Sequence, residues 1–204
     1  MSDNIRVGLI GYGYASKTFH APLIAGMPGM TLAAVSSSDA AKVHADWPSV
    51  PVVSEPKHLF NDPNIDLIVI PTPNDTHFPL AKAALEAGKH VVVDKPFTVT
   101  LSQARELDAL AKSLGRLLSV FHNRRWDSDF LTVKRLLSEG TLGEILFFES
   151  HFDRFRPQVR NRWREQAGPG SGIWYDLAPH LLDQAVNLFG LPVSMTVDLA
   201  QLRP

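Results

Sequence analysis

Three side chains in this sequence could manage a proton and a negative charge at one reacting carbon: Lys95, closing an apolar run, and Asp176 and His180, four residues apart. Taking hydride from an alcohol requires that the hydroxyl proton leave too, and reducing a carbonyl requires its return. A titratable group must therefore stand at that oxygen. The His180 imidazole has the intrinsic pKa for the transfer. The Lys95 ammonium can hydrogen-bond the oxygen and stabilise developing alkoxide charge, while Asp176 shares a helical face with His180 and can orient its ring. Pro179 suits the first turn of a helix, which puts Asp176 at the helix start. Each residue also has a plainer reading, with Lys95 at a strand end facing solvent, Asp176 as an N-cap and His180 as a hydrogen-bonded helix residue. An Asp-x-x-x-His pair can ligate a metal, but no third ligand stands at suitable spacing, so no metal is expected.

A second group of residues suits an anion. Gly11-Tyr12-Gly13-Tyr14-Ala15-Ser16 reads GxGxx followed by Ser, where the dinucleotide fingerprint has Gly or Ala. The first glycine permits a tight turn, the second lets backbone approach a pyrophosphate, and a following helix N-terminus offers unpaired N–H groups. An ordinary strand-to-helix turn would look similar, so the context of a strand before and a helix after carries the weight. An Asp or Glu closing the second strand would bind the ribose 2′-OH of NAD, but Ser36-Ser37-Ser38 and then Lys42 occupy that region. Hydroxyls and an ammonium accept a 2′-phosphate, which favours NADP, and the nearby Asp39 keeps NAD as the alternative. The serine run also suits a turn, with Ser38 or Asp39 capping the next helix.

The elements that must position these residues alternate. Apolar runs at 5–10, 31–35, 65–70, 90–93 and 117–121 read as strands, and helices are expected over 15–27, 40–46, 77–87 and 101–114, with Gly88 and Gly115 as stops. Continuous apolar strands are buried on both faces, and this alternation specifies an α/β, doubly wound parallel Rossmann sheet. After Phe121 the pattern changes to a helix over 129–138, a long strand over 144–154 carrying Phe147, Phe148 and Phe152, a Gly/Pro-rich loop, another helix and a last strand over 194–199. The expected organisation is a dinucleotide-binding domain over 1–121 and a partial substrate-binding and oligomerisation domain over 122–204.

Taken with the glycine loop, three segments resemble the Gfo/Idh/MocA family of NAD(P)-dependent oxidoreductases, in order and over nearly the whole chain. They are Pro71-Thr72-Pro73-Asn74-Asp75-Thr76-His77, Val93-Asp94-Lys95-Pro96-Phe97 and Asp176-Leu177-Ala178-Pro179-His180. The resemblance implies a Rossmann domain followed by an α+β domain with a large, mostly antiparallel sheet. It also implies that Lys95 is the lysine the family's Glu-Lys-Pro motif supplies at the nicotinamide. Here the motif reads Asp94-Lys95-Pro96, one methylene shorter at the carboxylate. It further implies that Ser37 and Lys42 hold a 2′-phosphate, that 71–77 lies along the cofactor near its ribose and nicotinamide, and that Asn123-Arg124-Arg125-Trp126 approaches the active site.

Composition sets the outer limits. Of the 204 residues, 45% are hydrophobic and 20% charged, which suits a globular chain with a real core and excludes collagen, disorder and disulfide scaffolds. Twenty Lys and Arg against 21 Asp and Glu give a net charge of -1, which provides no global field for nucleic acid or an anionic membrane. With no Cys, thiolate chemistry is excluded. No apolar run is long enough to span a bilayer and no secretory leader is evident, so a cytoplasmic protein without membrane or nucleic-acid partners is expected. Arg154, Arg156, Arg160, Arg162 and Arg164 beside Phe155 and Trp163 form either a substrate-side loop, in which Arg160 and Trp163 would meet a small hydroxy or carbonyl compound, or a solvated one. The leading expectation is an NADP(H)-preferring oxidoreductase of a sugar, polyol or related compound, and the rival is a non-catalytic dinucleotide-binding sensor or interaction protein. The Lys95–Pro96 bond is a candidate cis peptide. Only two strand candidates stand in the second domain, so that domain is expected to be incomplete, with edges that pair in a homo-oligomer.

Overall fold

The computed structural model describes residues 4–153, 155, 157–159 and 161–200, and the chain divides into two compact units, Met1–Phe121 and His122–Pro204. In the first, strands β1 (Ile5–Ile10), β2 (Met30–Ser36), β3 (Val52–Val53), β4 (Leu67–Ile70), β5 (His90–Asp94) and β6 (Leu118–Phe121) form one parallel sheet. Its order is β3-β2-β1-β4-β5-β6, with the direction of winding reversed between β1 and β4.

Alternation along each strand divides the core. Val7 and Leu9 of β1, Val35 of β2 and Val69 of β4 join one apolar cluster, whereas Ile10, Ala34, Ile68 and Ile70 join the other. Successive side chains of a strand point to opposite faces, so the two clusters are the two covered sides of the sheet. Gly8 in β1 is required by packing: a Cβ there would stand 3.0 Å from Ile68 Cδ1 and 3.3 Å from both Ile65 and Leu59 Cδ1 atoms.

After β1 the chain runs through a π-helical turn, Ser16–His20, into α1 (Ala21–Gly26). Then come α2 (Ala40–His44), α3 (Pro56–Asn61), α4 (Asn74–Glu86) and α5 (Leu101–Ser113). A reciprocal capping box starts α5, with Thr100 accepting from the Gln103 backbone N–H and the Gln103 side chain accepting from that of Thr100. The strands and the larger helices stand where the hydrophobic pattern puts them. Strand β3 and helix α3 were not anticipated, because two and six residues are too few for a period to register.

The second unit holds a 3-10 turn at Asn123–Trp126, α6 (Ser128–Ser138), a 3-10 turn at Trp163–Glu165 and α7 (Gly172–Phe189). Two sequence expectations are corrected here. The described residues of 144–154 and 194–199 form no strand, so the mostly antiparallel sheet is not formed among the described residues of this unit. An apolar, β-prone segment becomes a strand only when another supplies its ladder bonds, and two such segments alone are marginal. Secondly, Pro179 lies inside α7 and Asp176 in its second turn, because the helix already begins at Gly172. The interior proline is accommodated at the loss of one backbone hydrogen bond.

Candidate functional site

The glycine loop is built by three short bonds. Gly11, at φ +79°, donates its N–H to the Ser36 carbonyl at 2.7 Å, and the buried Ser16 hydroxyl donates back to the Gly11 carbonyl at 2.9 Å. Gly13 accepts from Lys17 N–H at 3.0 Å, which opens the helical segment. Tyr12 is anchored away from solvent, its hydroxyl donating to Asp46 Oδ2 at 2.9 Å, and Lys17 Nζ reaches the same oxygen at 2.8 Å. Lys17 and then Tyr12 hold the Asp46 carboxyl below its ordinary value, while burial first, then Asp46, pushes the Tyr12 hydroxyl up. The Tyr12 side chain is thus a fastener of the loop. Tyr14 projects into solvent, and Ala15 lies between it and Ser16.

Gly13 behaves unlike Gly8. A Cβ at Gly13 would meet nothing within 4 Å, and its φ lies outside the left-handed region. Neither the packing nor the backbone of this structure demands glycine there, whereas a ligand approaching the loop backbone would.

Beyond β2, Ser36 is buried, and the Ser37 hydroxyl accepts from Asp39 N–H at 3.1 Å. Asp39 caps α2, its Oδ1 accepting from Lys42 N–H at 3.0 Å, which makes Asp39 rather than Ser38 the N-cap. Ser38 and Lys42 are exposed on this short turn.

The segments after β4 and β5 are tied to each other. Pro71, Thr72 and Pro73 lead into α4, where Asn74 and His77 are buried. The His77 ring spans two carbonyls, with Nδ1 2.8 Å from Pro96 O and Nε2 2.9 Å from Thr72 O. Burial pushes the His77 pKa down, against the pull of those carbonyls. The Lys95–Pro96 bond is cis, as the sequence suggested. Asp94 Oδ1 accepts from Lys95 N–H at 2.7 Å, and Oδ2 lies 3.3 Å from Nε2 of His20, which comes from the π-helical turn. Sequence reading missed His20. Its partner is 74 residues away, so no local spacing signals the pair.

All these segments of the first unit follow the carboxyl ends of β1, β2, β4 and β5, where parallel sheets bind ligands at the point of reversed winding.

In the second unit, Asp176 and His180 stand one helical turn apart on α7. His180 is buried, with its ring 6.3 Å from that of Phe152, and the Arg124 guanidinium lies 5.1 Å over the same Phe152 ring. Arg124 also donates to Asp127 at 2.9 Å, and Gln184 of α7 donates to the Arg124 carbonyl at 3.2 Å. The neighbouring Arg125 makes a two-pronged contact with Asp183 at 2.7 and 2.6 Å, fastening the Asn123–Trp126 turn to α7. Asp183 is the anchor that sequence reading overlooked. Arg164 stacks on Trp163 at 4.6 Å and lies 3.4 Å from Asp176 Oδ1, while Arg162 pairs with Glu165. Two of the loop's arginines are therefore engaged within the unit; Arg154, Arg156 and Arg160 lie outside the described residues. Among the described residues no cluster of three metal-ligating side chains occurs, and no helix is long and apolar enough to cross a membrane.

A doubly wound parallel sheet with a glycine loop after its first strand defines a Rossmann fold of the dinucleotide-binding class. The chain belongs to the GFO/IDH/MocA family: residues 5–122 match its oxidoreductase model with an NAD-binding Rossmann fold, and residues 130–204 match a GFO/IDH/MocA C-terminal domain. It is 89% identical over its whole length to the "uncharacterized oxidoreductase YdgJ" of Escherichia coli K12, covering 59% of that protein. It is 41% identical to scyllo-inositol 2-dehydrogenase (NADP(+)) IolW of Bacillus subtilis 168, over 98% of this chain and 56% of that one. The solved structure of YPO2259 from Yersinia pestis superposes with a TM-score of 0.94 at 73% identity, over 100% of this chain and 58% of the other. The chain thus spans a little over half the length of these relatives.

Proposed function

We propose that this chain carries the cofactor site and catalytic side chains of an NADP(H)-preferring oxidoreductase acting on a sugar, polyol or related hydroxy or carbonyl compound. The observation that carries the cofactor reading is Gly13, a glycine that neither fold nor packing needs, with open space where a side chain would be. Gly11 to Ser16 would receive the pyrophosphate, Ser37, Ser38 and Lys42 the 2′-phosphate, and the segments 71–77 and 94–96 the nicotinamide end. The similarity to IolW, whose name specifies NADP(+) and scyllo-inositol, supports both the cofactor preference and a polyol-like substrate. When bound, the nicotinamide accepts or gives the hydride.

The chain's own residues handle the rest. Lys95 donates a hydrogen bond to the substrate oxygen and steadies its charge as the C–H bond breaks. His180 takes the hydroxyl proton during oxidation and returns it during reduction. Asp176 sets the direction of the His180 ring from one turn earlier on α7, with Arg164 beside its carboxylate. Asn123, Arg124 and Trp163 lie on the two turns of the same unit and would contact substrate hydroxyls.

Fluorescence titration with NADPH and NADH tests the reading. NADPH should bind more tightly, and Lys42→Ala should bring the two affinities together. Equal affinities or an NADH preference would overturn the choice of cofactor, and binding of neither would overturn the function. Oxidation of scyllo-inositol with NADP⁺ is the first substrate assay.

A further inference from the structure

The Lys95–Pro96 turn is gripped on both sides. On one, Asp94 Oδ1 accepts the Lys95 N–H at 2.7 Å; on the other, His77 Nδ1 lies 2.8 Å from the Pro96 carbonyl. The peptide group before the lysine and the one after Pro96 are thereby held, the first of them by Asp94. A carboxylate with a single partner can swing about its last side-chain bond. With its second oxygen 3.3 Å from His20 Nε2, the plane of this one is set by two partners in different segments. The His20 ring is itself confined, 97% buried by its 3% exposure and packed on Phe121 with centroids 4.3 Å apart. A buried imidazole paired with a half-buried carboxylate is costly compared with apolar residues of the same volume, so packing alone does not explain it. The π-helical turn that delivers His20 is a form concentrated at functional sites.

We infer that His20 is a positioning residue for Lys95: its ring holds the Asp94 carboxylate in the orientation that accepts the Lys95 N–H, and so fixes the direction in which the lysine leaves the sheet. The inference rests on the reading of Lys95 as the group that meets the substrate oxygen. It also accounts for the aspartate in this motif, since a carboxylate one residue before Lys95 on a short side chain reaches both the next N–H and the neighbouring turn.

Backbone amide exchange by NMR, on the protein as it stands and on its variants, reads the effect without a substrate. His20→Phe keeps an aromatic ring against Phe121 and removes the nitrogen; His20→Gln keeps a donor near the Nε2 position. Exchange at the Lys95 amide should rise about tenfold or more in His20→Phe, with the β1 and β4 amides unchanged, and His20→Gln should restore wild-type protection. An unchanged Lys95 amide in His20→Phe would overturn the inference. So would a loss of protection spread evenly over the sheet, which would make His20 a core residue only. Turnover separates this from the reading beneath it. If Lys95→Ala leaves the rate intact, the catalytic role of Lys95 fails. If Lys95→Ala abolishes it while His20→Phe keeps the wild-type kcat, only the positioning role fails. The supporting result is a lower kcat in His20→Phe at unchanged NADPH affinity.

Discussion

Asp94 keeps its charge in a place where burial works against it. Burial alone would push the carboxyl up, but the His20 contact, the Lys95 N–H and the Lys95 charge together hold it below its ordinary value. As pH falls, the unfolded chain takes up this proton first, at about 3.9, so the stability Asp94 provides is present above that range and lost as pH drops through the lower folded value. The gap in Tm between wild type and Asp94→Asn should therefore be widest near neutrality and close in acid; a gap independent of pH would show that the charge contributes nothing. The residues proposed for chemical roles could be singled out because glycine, lysine and histidine carry their constraints in their type: Gly11 takes a φ of +79°, and Lys95 follows an apolar run. The fasteners were not. Tyr12 looks like a loop residue until Asp46 is found beside it, and His20 and Asp183 acquire meaning only through partners distant in sequence.

Two glycines near β1 separate what the elements need from what a ligand needs. In Gly8→Ala the new methyl would meet three aliphatic side chains at 3.0 to 3.3 Å, so overpacking of about 1–3 kcal/mol is expected, measured as a lower denaturation midpoint. Gly13→Ala should leave that midpoint in place and weaken NADPH binding, because its methyl enters open space above the loop. The reverse outcome, a destabilised fold with intact cofactor affinity, would contradict the assignment of this loop. Buried parallel strands were readable because both faces demand apolar residues, as in the run of valines before Asp94. The segment 144–154 has the same β-prone character without the same result. Its side chains state a preference, and a strand is made by the neighbour that supplies the ladder.

At the scale of the molecule the two units differ in how completely they cover themselves. The first encloses its sheet between two apolar clusters, while Leu146, Phe147, Leu191 and Val193 of the second are exposed. The 204-residue chain should accordingly enhance the fluorescence of an apolar dye such as ANS, and a fragment over 1–121 should not. Equal enhancement by both would place the adhesive surface in the Rossmann unit. The strand order has a further consequence, for how the protein is made. Of the six strands, β1 leaves the ribosome first, yet it lies inside the finished sheet, with β2 on one side and the much later β4 on the other. Until β4 has been synthesised, a nascent chain carries a central strand with one bare edge and half a core. The interval between Ser36 and Leu67 is therefore a stretch of translation in which the nascent sheet needs protection from its neighbours.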